Sequence, residues 1–129
     1  IASGGEVSRF ILALKKALAE RYDVPVLIFD EIDVGVGGTA LNAMALKLRQ
    51  LADSHQVILV THSPQVASYA KNHFLIEKHF TENKTSISVA KLTGKEKVNE
   101  IARMLDGEEF SDITVKHATE MINNAAEIV

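Results

Sequence analysis

The sequence predicts an α/β fold in which short parallel strands alternate with helices. Three observations lead there. Apolar residues recur at helical spacing between Val7 and about Arg21. Two short apolar runs without polar alternation, Val24–Phe29 and Gln56–Val60, each give way to a polar break and then a helical segment. No internal repeat or Pro/Ser-rich linker interrupts the 129 residues, so a single unit over residues 1–129 is expected.

The elements follow in order. Val7, Phe10, Ile11, Leu14 and Leu18 mark the apolar stripe of a first helix, with Arg9, Lys15, Lys16 and Glu20 left for water. Val24–Phe29 reads as a strand covered on both faces, as in a parallel sheet. It ends at Asp30, Glu31, Ile32 and Asp33, and a glycine-bearing loop, Val34 to Gly38, leads into a helix from about Thr39 to Ala52. Gln56–Val60 is a second strand, stopping at Thr61, His62 and Ser63; Pro64 suits the first turn of a short helix through about Ala70. His73–Lys78 and Thr85–Lys91 predict a hairpin. Two closing helices are expected over about Lys95–Leu105 and Ile113–Ile128, the first ended by Gly107 and the second capped by Ser111 or Asp112.

Composition bounds the function. Hydrophobic residues make up 47% and charged residues 24%, with 14 basic against 17 acidic side chains and a net charge of −3. That is an ordinary globular balance, and its mild acidity argues against a broad phosphate-gripping surface. Any nucleic-acid contacts are therefore expected to be few or to lie elsewhere. With no cysteine, disulfide scaffolds, thiolate metal sites and cysteine nucleophiles are excluded, which fits the cytoplasm. No apolar run approaches the roughly 20 residues that span a bilayer, and no secretory leader opens the chain, so no membrane partner is expected. Ile1 is not a Met and a glycine-rich motif follows at once; the chain is expected to be a piece of something larger.

Chemistry concentrates where strands or loops meet helices, which is where α/β sheets place ligands. Ser3-Gly4-Gly5-Glu6 opens the first helix. Its glycines let backbone amides approach an anion, while Ser3 and Glu6 equally make a capping box, and Glu6 would repel a phosphate unless it faces elsewhere. Asp30 and Glu31 close an apolar strand and diverge in direction, so one carboxylate can hold a hydrated Mg²⁺ and the next can point at an attacking water. Acidic strand ends also simply meet solvent. His62 closes the second strand and could bond a phosphate oxygen, or be satisfied by nearby backbone. His55, His73, His79 and His117 lack the close spacing of a metal site.

In this order the three stretches resemble the C-terminal lobe of an ABC-type ATPase head: Ser3-Gly4-Gly5-Glu6 the signature, Phe29-Asp30-Glu31 the end of Walker B, Asp33 the D-loop and His62 the switch histidine. Ile1 to Arg9, Phe29 to Gly35 and Thr61 to Ala67 more narrowly resemble the RecN family of bacterial SMC-like DNA repair proteins. The motif resemblance runs to about Lys78 and rests on layout beyond it. Ser63 stands where such sequences often carry Leu, and Val36-Gly37-Gly38 varies a loop that more often reads Ile-Ser-Gly. No G-x-x-x-x-G-K-[ST] loop occurs anywhere in the chain, so the Walker A half of this partial P-loop NTPase head is missing.

The resemblance implies the rest. Two heads would sandwich two ATP molecules, with Asp30 orienting Mg²⁺ through water, Glu31 polarising the attacking water and His62 contacting the γ-phosphate. Ser3, Gly4, Gly5 and Glu6 would face nucleotide on the partner head, and Asp33 would help couple the two sites. The implied partners are a second head, an upstream lobe bearing coiled-coil arms, and DNA through the intact protein, in a bacterial cytoplasm at the nucleoid. It also implies a Walker A strand lying between Val24–Asp30 and Gln56–Thr61, leaving the sheet without its centre and the fragment prone to self-associate. Two alternatives stand beside it: a non-enzymatic interaction module, and a Toprim-like Mg-dependent phosphotransferase using Glu31 and Asp33, which would require a glutamate on an earlier strand.

Overall fold

Gly5, Ser8, Leu12 and Ala19 recur on one face of the first helix, α1 (Gly4–Tyr22), and that face is the buried one. A computed structural model describes residues 4–128. The stripe expected to face the core, Val7, Phe10, Leu14 and Leu18, is instead exposed together with Tyr22. Both sides of α1 carry apolar residues, and the side that pairs small residues with Leu12 lets the helix approach its neighbours more closely.

Strand β1 (Val26–Asp30) crosses through α2 (Gly38–Leu51) to β2 (Gln56–Val60). The two strands pair directly and in parallel, from Val26 opposite Gln56 to Asp30 opposite Val60. The Gln56 N–H donates to Pro25 O and the Glu31 N–H to Val60 O, both at 2.9 Å, which extends the ladder at each end. No strand lies between them, so the implied Walker A strand at the centre of this pair is corrected. Consecutive strands of one βαβ unit close the shorter loop by pairing with each other.

The expectation of cover on both faces also fails. Leu27 and Phe29 are buried in one cluster with Leu41, Met44, Ala45, Leu48 and Leu51 of α2 and Leu12 and Ala19 of α1. On the opposite face Val26, Ile28, Ile58 and Val60 are exposed. The apolar run without alternation thus records two apolar faces, of which these residues cover one. Lys15 bridges α1 to this layer, donating to Ile28 O and standing 4.7 Å over the Phe29 ring.

The second half joins three helices and a hairpin. Ser63 caps α3 (Pro64–Ser68), accepting the Val66 N–H, and Pro64 occupies the first turn. A hairpin of β3 (His73–Thr81) and β4 (Lys84–Leu92) follows in antiparallel register, as a sheet separate from β1–β2. One of its faces carries Phe74, Ile76, Phe80, Ile87 and Val89, all exposed. Helix α4 (Lys95–Asp106) ends at Gly107, whose φ of 89° suits glycine, and Ser111 caps α5 (Asp112–Glu127) by accepting the Thr114 N–H at 3.2 Å. Ile101 and Ala102 of α4, Ala118 of α5 and Ala67 of α3 form a second core. Lys97 ties the end of α3 to α4, its Nζ donating to Ala70 O at 2.6 Å and Ser68 O at 3.4 Å. Among the described residues, no helix is long and apolar enough to cross a membrane.

Candidate active site

Because β1 and β2 run parallel in register, their carboxyl ends share one edge, and the residues just beyond them meet there. Glu31 follows Asp30 with φ of 49°, in the left-handed region that glutamate rarely occupies. Holding such a residue there costs on the order of 1 kcal/mol or more, and strain of this kind gathers at functional sites. The turn takes the Glu31 side chain out of the strand's alternation and across to the other strand. His62 Nε2 lies 2.8 Å from Glu31 Oε1, with the imidazole 84% and the carboxylate 45% exposed. Asp30 is exposed at the same edge.

Asp33 sits differently. It is buried, its Oδ2 accepts the Thr61 hydroxyl, and its buried Oδ1 has no hydrogen-bond partner among the described residues. The loop around it folds back on itself, Val34 N–H donating to Glu31 O at 3.3 Å and Val36 N–H to Asp33 O at 3.1 Å. That loop lies against the start of α1: a Cβ at Gly4 would stand 3.6 Å from Val34 O, and one at Gly5 3.8 Å from Val36 Cγ2. These are ordinary contact distances, so packing does not demand glycine at either position. Glu6 occupies the first turn of α1, and Ser3 lies outside the described residues.

The structure therefore brings together Glu31, His62 and Asp33 at one edge, with Gly4 and Gly5 beside the Asp33 loop. It adds Thr61, which residue types alone did not single out; a hydroxyl between a buried strand and a histidine, opposite an acidic loop, was the available signal. The other histidines stay apart: His55 bonds Ser54 and His79 bonds Ser88, both at 2.8 Å. No group of three metal-binding side chains occurs among the described residues. The exposed carboxylate oxygens of Asp30 and Glu31 nonetheless fit Mg²⁺, a hard cation that commonly takes one or two carboxylates and completes its shell with water and substrate phosphate.

The shifted titrations lie elsewhere. Burial pushes the His73 imidazole below its ordinary value, opposed by Glu100 and assisted by Lys97, and its Nδ1 is buried without a partner among the described residues. Burial also lowers Lys97. Arg103 is raised chiefly by its paired hydrogen bonds to Glu100, at 2.8 and 2.7 Å. A shallow hollow of about 300 Å³ beside this pair, between β3 and α4, includes none of the residues at the β1–β2 edge.

This arrangement is the fold of part of an SMC-type ATPase head. A solved structure described under ATP-driven dimerization and DNA-stimulated activation of SMC ATPases matches with a TM-score of 0.63, covering 84% of this chain and 65% of its own, at 18% identity. In sequence the chain is RecN-like over nearly its whole length. It is 41% identical to the DNA repair protein RecN of Bacillus subtilis over 128 residues, 99% of the chain. It is 47% identical to that of Rickettsia prowazekii and 44% to that of Deinococcus radiodurans, each over 122 residues and 95% of the chain. The chain spans about one-fifth of these relatives, 22%, 22% and 21% of their lengths. No family model matches it. The similarity thus continues through the hairpin and closing helices, beyond Lys78 where the motifs end.

Proposed function

We propose that the chain, residues 1–129, is the C-terminal lobe of an ABC-type ATPase head in a RecN-type protein that repairs DNA double-strand breaks by recombination in the bacterial cytoplasm, at the nucleoid. ATP is hydrolysed between two such heads: binding closes the head dimer and hydrolysis reopens it. Glu31 orients and polarises the attacking water, and His62 holds Glu31 on one side and the γ-phosphate on the other. Asp30 would hold Mg²⁺ through water, and the ion would supply positive charge to neutralise the phosphates. Ser3, Gly4 and Gly5, followed by Glu6, face the nucleotide of the partner head, and Asp33 couples the two sites. An upstream lobe with the phosphate loop and coiled-coil arms completes each head, and DNA is engaged by the intact protein.

The observation that carries this reading is the 2.8 Å contact between Glu31 and His62 at the shared edge of two parallel strands. The chain alone is expected to be inactive. A helix N-terminus contributes roughly 0.3–1 kcal/mol toward an anion, whereas even millimolar binding requires about 4 kcal/mol.

The test is DNA-stimulated ATP hydrolysis by the intact protein that carries this segment. Glu31→Gln is expected to lower turnover by about 100-fold or more, with nucleotide binding retained. Unchanged turnover removes Glu31 from the mechanism, and an intact parent protein that hydrolyses no ATP removes the ATPase reading.

A further inference from the structure

We infer that Thr61 is a positioning residue for hydrolysis, a relay that fixes the Glu31–His62 pair to the buried Asp33 loop; this rests on the ATPase reading above. An imidazole that is 84% exposed is not held by packing. Its direction is set by the backbone on either side of it and by its contact to Glu31.

Thr61 controls that backbone. Its hydroxyl donates to Asp33 Oδ2, across 28 positions of sequence, and its oxygen accepts the Ser63 N–H at 2.9 Å. His62 is therefore spanned by a short hydrogen-bonded turn. Ser63 passes the constraint on, its hydroxyl accepting the Val66 N–H at 3.4 Å and donating to Gln65 at 3.0 Å, which anchors the turn to the start of α3.

The Asp33 end is equally dependent. The carboxylate is buried, Oδ1 is unpartnered among the described residues, and the Thr61 hydroxyl is its hydrogen-bond donor there. A buried carboxylate short of donors holds tightly to the one it has. Asp33 in turn sits in the loop packed against Gly4 and Gly5. A shift of that loop thus reaches the turn bearing His62 through the Thr61 hydroxyl, beside the Glu31–Val60 backbone rung that joins the strand ends. A partner head that pressed on the loop would change the alignment of Glu31 and His62 without touching either.

The experiment compares Thr61→Val, Thr61→Ser, Thr61→Ala and Glu31→Gln in the intact protein, reading kcat, KM for ATP and stoichiometric nucleotide binding. Removing the hydroxyl is expected to lower kcat by about 10–100-fold, the scale of a misplacement near 1 Å, while KM stays within about two-fold. Thr61→Ser restores the parent rate. Thr61→Ala leaves room for a water on Asp33, and it decides the matter where Thr61→Val does not melt cooperatively. A merely structural role predicts lost binding sites with unchanged kcat per site, and that result overturns the relay. So does parent-like turnover in both hydroxyl-deleting variants while Glu31→Gln is inactive. If Glu31→Gln turns over normally, Glu31 has no catalytic part and the relay is overturned with it; if the parent protein itself hydrolyses no ATP, the ATPase reading fails.

Discussion

The β1–β2 layer and the α4–α5 pair are built to different degrees of closure. In the helical half, α4 and α5 turn their apolar stripes toward one another, Ile101, Ala102 and Ala118 are buried, and both turns flanking the connection are capped by glycine or serine. The sheet half carries the candidate site yet covers one face only, leaving Val26, Ile28, Ile58 and Val60 exposed opposite a well-buried Phe29. The helical pair buries its facing stripes and leaves Ile113 and Ile128 exposed at the two ends of α5. The open half has more apolar residues than its own helices cover, so its site stands on a layer that ends at a bare hydrophobic face.

The sharpest way to break this comparison is to hollow out each core. Phe29→Ala is expected to cost about 3–5 kcal/mol and Ile101→Ala about 2–5 kcal/mol. Hydrogen exchange should show the first loosening β1–β2 while α4–α5 stays protected, and the second doing the reverse. Equal loss of protection across the chain in both variants would mean that the halves form one cooperative unit.

A smaller change tests the open face. Ile28→Thr combined with Ile58→Thr alters exposed positions, so stability should move by no more than about 0.5 kcal/mol per site. The parent chain is expected to self-associate through this face, and light scattering should show the double variant shifted toward monomer. Unchanged association would locate the contact on the exposed side of α1 or of the hairpin.

The smallest effect lies at the join. His73 is held below its ordinary value of 6.5 by burial, so the unfolded chain binds its proton more readily than the folded one. Stability is therefore fully present above about pH 6.5 and declines as pH falls through the window toward the lowered folded value. His73→Gln should flatten that acid-side decline in thermal melts from pH 7 to 5, and an unaltered slope would assign the loss to carboxylates.

Element identities were legible because periodicity reports them directly. Leu27 and Phe29 within an unbroken apolar run gave a buried strand, and Gly107 and Ser111 marked where helices stop and start. Strand order was not legible: apolar runs state that strands are buried, not which neighbour they meet, and β1 and β2 pair directly where a gap for a missing central strand was expected. The side of α1 that packs was also hidden, since Val7, Phe10 and Leu14 compete with Leu12 and Ala19 for the core. At the site, Glu31 and His62 stood out as the polar residues ending two apolar strands. Thr61 did not, because its meaning lies in one hydrogen bond to a residue 28 positions away.

The left-handed backbone at Glu31 separates two pressures on that position. Glycine would relax it, and the gain from lost strain is offset by the roughly 0.5–1 kcal/mol that glycine adds to unfolded-chain freedom. A drift from Glu31 to glycine would thus leave folding nearly indifferent while deleting the carboxylate. Folding stability alone therefore gives no reason for an acid at that position.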